Sequence, residues 1–326
     1  MVFFTILLFA IVLIPTLIVM IPKSDTYTEE NIMEVTVDEE DIEVSQLNVF
    51  VERSDSGEVE EIPLEKYVAS VVASEMPAEF EMEALKAQAI AARTYIVNHL
   101  LHQEEEEKVV ISDTTEHQVY KNDDELKATL GSDYHWKMEK VNEAVKATKN
   151  EIITYDKQPI TPTFFSMSNG YTEDAKNYWG NELPYLKSVE SHWEEKHPDF
   201  TEQIVFTLDE ISSKLGVSLQ AGVSIPIKIV RTESNRVSEL TIQDKTFSGR
   251  EVRDMLGLRS NDFSIKQKNE HLIFTTKGYG HGVGMSQYGA NGMAEEGKGY
   301  KDILTYYYQD VEIETITEAA PALVAK

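Results

Sequence analysis

Four short stretches carry the residue types from which chemistry could be built. In Ser74-Glu75-Met76-Pro77 a carboxyl group stands where a helix must end, because Pro77 pushes the residue before it out of the α region. Unpaired carbonyls at a helix C-terminus disfavour an anionic neighbour, so the Glu75 pKa should drift upward. A carboxyl that keeps its proton near neutral pH is what a general acid needs. In Lys86-Ala87-Gln88-Ala89-Ile90-Ala91-Ala92-Arg93-Thr94-Tyr95 two cations seven apart flank an apolar stripe. There Arg93 could orient a carboxylate or a polar ligand, or both could be rim cations on an amphipathic helix. Phe164-Phe165-Ser166-Met167-Ser168-Asn169-Gly170-Tyr171 combines hydroxyls, an amide and aromatic faces, as a sugar ring requires. Finally, Gly278-Tyr279-Gly280-His281-Gly282-Val283-Gly284-Met285-Ser286-Gln287 leaves His281 on a backbone free of side-chain bulk, open to close approach. Its glycines lack GxGxxG spacing and no phosphate-loop Lys follows, which disfavours a nucleotide.

The elements that position these residues follow from periodicity and capping. Leu64, Tyr67, Val68, Val71 and Val72 mark one face of a helix ending near Met76, and a second helix is expected from about Glu79 to Leu101. A third runs from about Trp136 to Thr148, with short strands at Val109–Ser112 and Gln118–Tyr120 before it. Glu151–Tyr155 and Pro159–Phe165 read as a hairpin. Thr207 with Glu210 forms a capping box for a helix closed by Gly216, and Ser248 opens another ahead of Gly257. Ile225–Arg231 pairs with Val237–Ile242, and a further hairpin turns through Lys268–Glu270. Strands and helices interspersed with hairpin connections favour an α+β fold with mixed, mainly antiparallel sheets.

The chain has 326 residues and a formal net charge of -27, from 30 basic and 57 acidic residues, which argues against nucleic acid as a partner. Having no cysteine, it excludes thiol catalysis, disulfides and cysteine metal sites. Residues 1–22 carry an uncharged apolar run of about 30 Å as a helix, read as a membrane anchor in preference to a cleaved signal peptide. Residues 23–44 form an acidic stalk, 45–316 the folded body and 317–326 a tail. The stalk is expected to hold much of the negative charge, leaving a cleft less acidic than the chain as a whole. No His-Glu-x-x-His is present, and His117, near Asp113 and Glu116, is the isolated residue kept as a weak candidate metal ligand.

Taken in order, the four motifs resemble the stage II sporulation protein D family over about residues 45–315. The resemblance implies a membrane-tethered lytic transglycosylase of peptidoglycan, acting on glycan strands stripped of stem peptides during forespore engulfment, beside a cell-wall amidase and other engulfment proteins. It makes Glu75 the catalytic acid/base and places Lys86, Arg93, Ser166, Ser168, Tyr171, His281, Ser286 and Gln287 along the glycan cleft. It implies no cofactor; the cysteine that helps some relatives bind a metal near the position of His117 is missing here. The alternatives are a non-catalytic glycan-binding activator of an amidase, and a retaining or inverting hydrolase.

Overall fold

The computed structural model describes residues 47–102 and 110–324. Strand β1 (Asn48–Glu52) pairs antiparallel with β2 (Val59–Pro63). Alternation buries Val49 and Val51 on one face. Helix α1 (Leu64–Glu75) follows Pro63, whose fixed φ suits a helix entry. It stops where expected: Met76 is extended at φ -125°, ψ 135°, so Glu75 is the last helical residue. Helix α2 (Met82–Leu101) begins about three residues later than periodicity suggested. Most of it is buried, and Ala84, Ala87, Ala89, Ala91 and Ala92 let neighbouring elements approach closely. Strand β3 (Val110–Ser112) adds parallel to β1. No strand forms at Gln118–Tyr120.

Helix α3 (Asp123–Leu130) was not anticipated, although Asn122 and Glu125 cap it reciprocally. Helix α4 (Tyr134–Ala147) and strand β4 (Glu151–Tyr155) pack on α2, with the Thr94 hydroxyl accepting from Ile153 N–H at 2.9 Å. The expected hairpin is only partly formed. Strand β5 (Gln158–Pro159) pairs with β4, but β6 (Phe164–Phe165) leaves the sheet. Pro159 and Pro162 cannot donate to a continuing ladder. Short strands β7 (Gly170–Tyr171) and β8 (Glu190–Ser191) pair with each other, with helix α5 (Ala175–Trp179) between them.

Residues 201–277 build a second apolar core. Strand β9 (Thr201–Thr207) leads into α6 (Leu208–Leu215), which carries the Thr207–Glu210 capping box and a left-handed Gly216. Strands β10 (Ile227–Arg231), β11 (Val237–Ile242) and β12 (Lys245–Ser248) form one antiparallel sheet. Ser248 and Glu251 cap α7 (Gly249–Leu256), closed by a left-handed Gly257. Strands β13 (Phe263–Lys268) and β14 (His271–Lys277) complete a sheet with β9. Phe206, Ile211, Leu240, Val252, Phe263 and Phe274 fill the space between.

The chain then returns to the first core. Strand β15 (Met285–Ser286) pairs parallel with β6, followed by α8 (Gln287–Glu295), α9 (Tyr300–Tyr307) and β16 (Glu312–Thr315), which pairs with β4. Two short helices, Ile316–Ala319 and Pro321–Val324, close the described chain with Ile316 and Ala320 buried. The architecture is α+β with mainly antiparallel sheets. Among the described residues no helix is long and apolar enough to cross a membrane. The anchor and stalk read from composition lie outside the described residues.

Candidate active site

A cleft of about 870 Å³ opens between residues of the two cores, and Glu75 lines it. The abrupt stop of α1 aims this side chain across the loop after β3. Val119 N–H donates to Glu75 Oε1 at 2.9 Å, and the Tyr67 hydroxyl steadies the same loop by donating to Gln118 Oε1 at 3.1 Å. Burial raises the Glu75 pKa, and the Val119 bond opposes it. Desolvation is the physical cause of the upward shift, which has the direction expected for Glu75 at the end of α1. The other carboxylate on the cleft wall, Glu116, is exposed.

One wall is aromatic. His281 lies 5.7 Å from Phe165, 5.8 Å from Tyr178 and 5.9 Å from Trp179, centroid to centroid. Trp179, the last residue of α5, is positioned by the Asp174 cap and the left-handed Gly180, and stays partly open to the cleft. The glycines around His281 let two main chains meet: a Cβ on Gly284 would stand 2.0 Å from the Thr163 carbonyl oxygen. Gly284 also has φ +82°, a conformation that side chains disfavour. His281 accepts from Val283 N–H through Nδ1 at 3.0 Å and also bonds the Phe164 carbonyl. Burial, reinforced by the Arg253 and Arg236 charges, pushes its pKa down to about 3. It is therefore a neutral ring, held in the wall by the Val283 N–H.

Ser166 and Gln287 also line the cleft, and the buried Gln287 Nε2 has no hydrogen-bond partner among the described residues. Other residues expected there lie elsewhere. Arg93 is wholly buried, donating to Glu65 at 2.9 and 2.7 Å and to the carbonyls of Glu151 and Val145 at 3.2 and 3.3 Å. The rim reading failed because α1, α4 and β4 cover this face of α2. Lys86 pairs with Glu83 at 2.7 Å beside the Tyr300 ring. Ser168 and Ser286 are buried and converge on Glu194 Oε1, through Ser168 N–H at 2.9 Å and Ser286 Oγ at 2.6 Å. They tie β6 and β15 to the loop after β8. Tyr171 is exposed outside the cleft lining, and its carbonyl accepts from Arg236. His117 lines the cleft, with Nδ1 2.9 Å from the Ser112 hydroxyl and its ring edge-on to His99. Among the described residues no three His, Asp or Glu side chains gather as a metal site.

Sequence reasoning missed Tyr178, Trp179, Arg250 and Arg253, all on the cleft wall. The aromatic pair in a turn-rich stretch and two arginines three apart in an acidic chain were the available signals. Arg250 and Arg253 balance Glu75 and Glu116, so the cleft is less acidic than the chain, as expected from the charge distribution.

A family profile described as Stage II sporulation protein (SpoIID) matches residues 52–155. The chain is 47% identical over 277 residues to stage II sporulation protein D of Bacillus subtilis (strain 168), covering 84% of this chain and 81% of that protein. Its similarity to stage II sporulation protein D of Bacillus amyloliquefaciens is 46% over 289 residues, 88% of this chain and 84% of that one. A more distant relative, the amidase enhancer of Bacillus subtilis (strain 168), is 28% identical over 295 residues, 73% of this chain and 39% of that protein. With identity at this level across most of both lengths, and the motifs around Glu75 and His281 lying on one cleft, the chain belongs to the stage II sporulation protein D family.

Proposed function

We propose that this sporulation protein is a peptidoglycan lytic transglycosylase, with Glu75 as its single acid/base. The observation that carries the reading is a half-buried carboxyl group with a raised pKa on the wall of an aromatic-lined cleft. The Glu75 carboxylic acid gives its proton to the glycosidic oxygen leaving MurNAc C1. The resulting carboxylate then takes the proton of the C6 hydroxyl as O6 attacks C1. The C1–O bond to the leaving sugar breaks, a C1–O6 bond forms, and no water is consumed. Glu75 ends protonated and the product carries a 1,6-anhydro ring.

Trp179 and Tyr178 offer stacking faces for sugar rings, while Ser166 and the unpartnered Gln287 amide offer polar contacts. The apolar run over residues 1–22 supports single-pass attachment to the mother-cell septal or engulfing membrane, with residues 45–316 on the extracytoplasmic side. There the partners are peptidoglycan glycan strands, a cell-wall amidase and other engulfment proteins.

Digestion of peptide-stripped glycan with product masses read out tests the chemistry. Wild type should release ends lighter by one water than reducing ends, and Glu75→Gln should release none. Reducing ends would indicate a retaining or inverting hydrolase instead. The relative named amidase enhancer supports a second reading, a non-catalytic glycan-binding activator. Unaltered glycan with wild type, together with a faster partner amidase, would favour it.

A further inference from the structure

Glu75 is the last residue of α1, and Tyr67 stands eight residues earlier on the same helix, about 12 Å back along its axis. Both reach the loop between β3 and α3. Val119 N–H donates to Glu75 Oε1 at 2.9 Å, whereas Oε2 makes no hydrogen bond among the described residues. The neighbouring Gln118 is 2% exposed, and the Tyr67 hydroxyl, which donates to its Oε1 at 3.1 Å, is the one group among the described residues that bonds its side chain. Tyr67 is itself wholly buried, with its ring stacked 5.8 Å from that of Tyr120. Tyr120 N–H donates to the Asp113 carbonyl at 3.2 Å and closes the loop at its base. The helix that carries the acid therefore also grips, about two turns back, the loop that holds one of the acid's oxygens. In a protonated carboxyl group the carbonyl oxygen is the better acceptor, so an N–H seated on Oε1 leaves the proton on Oε2.

We propose that Tyr67 and Gln118 are positioning residues that fix Val119 N–H on Glu75 Oε1 and so make Oε2 the oxygen that both gives and takes the proton. The inference rests on the glycan-cleaving reading and deepens it by naming the working oxygen and the side chains that select it. The Oε2–H bond breaks as the glycosidic oxygen gains its proton; the C6 O–H bond then breaks and Oε2–H forms again, with Oε1 held by Val119 throughout. The carboxyl group need not turn between the two transfers. A donor on Oε1 also favours the carboxylate, opposing burial, and keeps the acid from binding its proton too tightly to release it. Burial raises the Tyr67 pKa far above its ordinary range, so this hydroxyl is uncharged near neutral pH and its removal subtracts no charge. Other titratable groups share the cleft with Glu75 from each neighbouring element: Tyr95 on α2, Glu116 and His117 on the loop itself, Arg250 and Arg253 on α7, and His281 on the aromatic wall. Glu79 and Lys137 stand beside the α1 terminus in a second hollow, paired at 2.7 Å. Glu116 is the anion that would move with the loop, so its charge must be separated from the effect of the Val119 bond.

The test uses the full chain in detergent with Tyr67→Phe, which keeps the stacked ring, and Gln118→Leu, which keeps the volume. Glutamate labelled with carbon-13 at Cδ reports the Glu75 titration by NMR, its resonance identified by its loss in Glu75→Gln, and peptide-stripped glycan reports cleavage against pH. In both variants the Glu75 midpoint should rise by about half to one pH unit and the alkaline limb of kcat should move up with it, while kcat falls about tenfold and KM stays within about twofold. The double variant should shift no further than Gln118→Leu alone, because both changes cut one link. Tyr67→Phe decides by itself if Gln118→Leu does not fold. A merely structural role would lower the amount of folded enzyme and leave both midpoints in place. Midpoints unchanged or lowered in the variants, or a rise that vanishes in a Glu116→Gln background, would overturn the clamp. Wild type that cleaves no glycan while its Glu75 midpoint still responds to the variants would overturn the glycan-cleaving reading and leave the hold on Oε1 standing.

Discussion

In Arg93→Met the guanidinium that ties α1 to α4 and β4 is lost while a similar apolar volume remains. Arg93 is fully buried and donates four hydrogen bonds, two of them to Glu65. Breaking a buried ion pair from one side costs about 3–5 kcal/mol. The Glu65 side chain keeps 26% of its surface exposed. Water can rehydrate part of the stranded carboxylate, which puts the cost near the lower end, about 3 kcal/mol. For a folded body of this size each kcal/mol moves the melting midpoint by about 2–4 °C, so the variant should melt about 6–12 °C lower. Thermal unfolding of the full chain in detergent reads this directly. Adding Glu65→Met should recover most of the loss, because two apolar side chains replace a pair whose burial was itself costly. An unchanged midpoint with glycan cleavage abolished would refute the reasoning and return Arg93 to the substrate.

Two further outcomes follow from the titrating groups. The raised Glu75 pKa means that the folded protein holds this proton more tightly than the unfolded chain, so stability falls as pH rises from 4.5 toward the folded pKa. Glu75→Gln should therefore melt higher than wild type near neutral pH, with the gap vanishing at about pH 4; a lower midpoint at neutral pH would contradict the burial argument. Its cleavage activity in wild type should decline on the alkaline side as the acid form disappears. His281, pushed down to about 3, should show a neutral Nε2–H tautomer by nitrogen NMR with no titration down to about pH 4, and an imidazolium signal near pH 6 would remove it from the fixed aromatic wall.

Much of the second core was legible because its signals are local. Thr207 with Glu210, Ser248 with Glu251, and glycines at 216 and 257 each satisfy or terminate a helix within a few residues, and all four work as capping rules require. The Asn122–Glu125 box carries the same kind of signal at the start of α3. Pro77 set the end of α1 and hence the position of Glu75. By contrast, β6 was assigned to a neighbouring hairpin when its partner is β15, about 120 residues away in sequence and reachable because Gly284 presents no side chain to Thr163.

The sequence by itself determined the α+β composition, the end of α1 at Pro77, the capped helices of the second core, the motif set and the suspicion that Glu75 carries a proton. Tertiary structure decided which motif residues meet. Ser166, His281 and Gln287 share the Glu75 cleft, while Arg93, Ser168 and Ser286 act inside the framework. It also brought Tyr178, Trp179, Arg250 and Arg253 to that wall. Caps and periodicity depend on contacts within a turn or two. The protonation of a buried carboxyl, or the partner of an arginine, depends on desolvation and charges supplied by distant segments, such as Glu65 and Glu151 around Arg93.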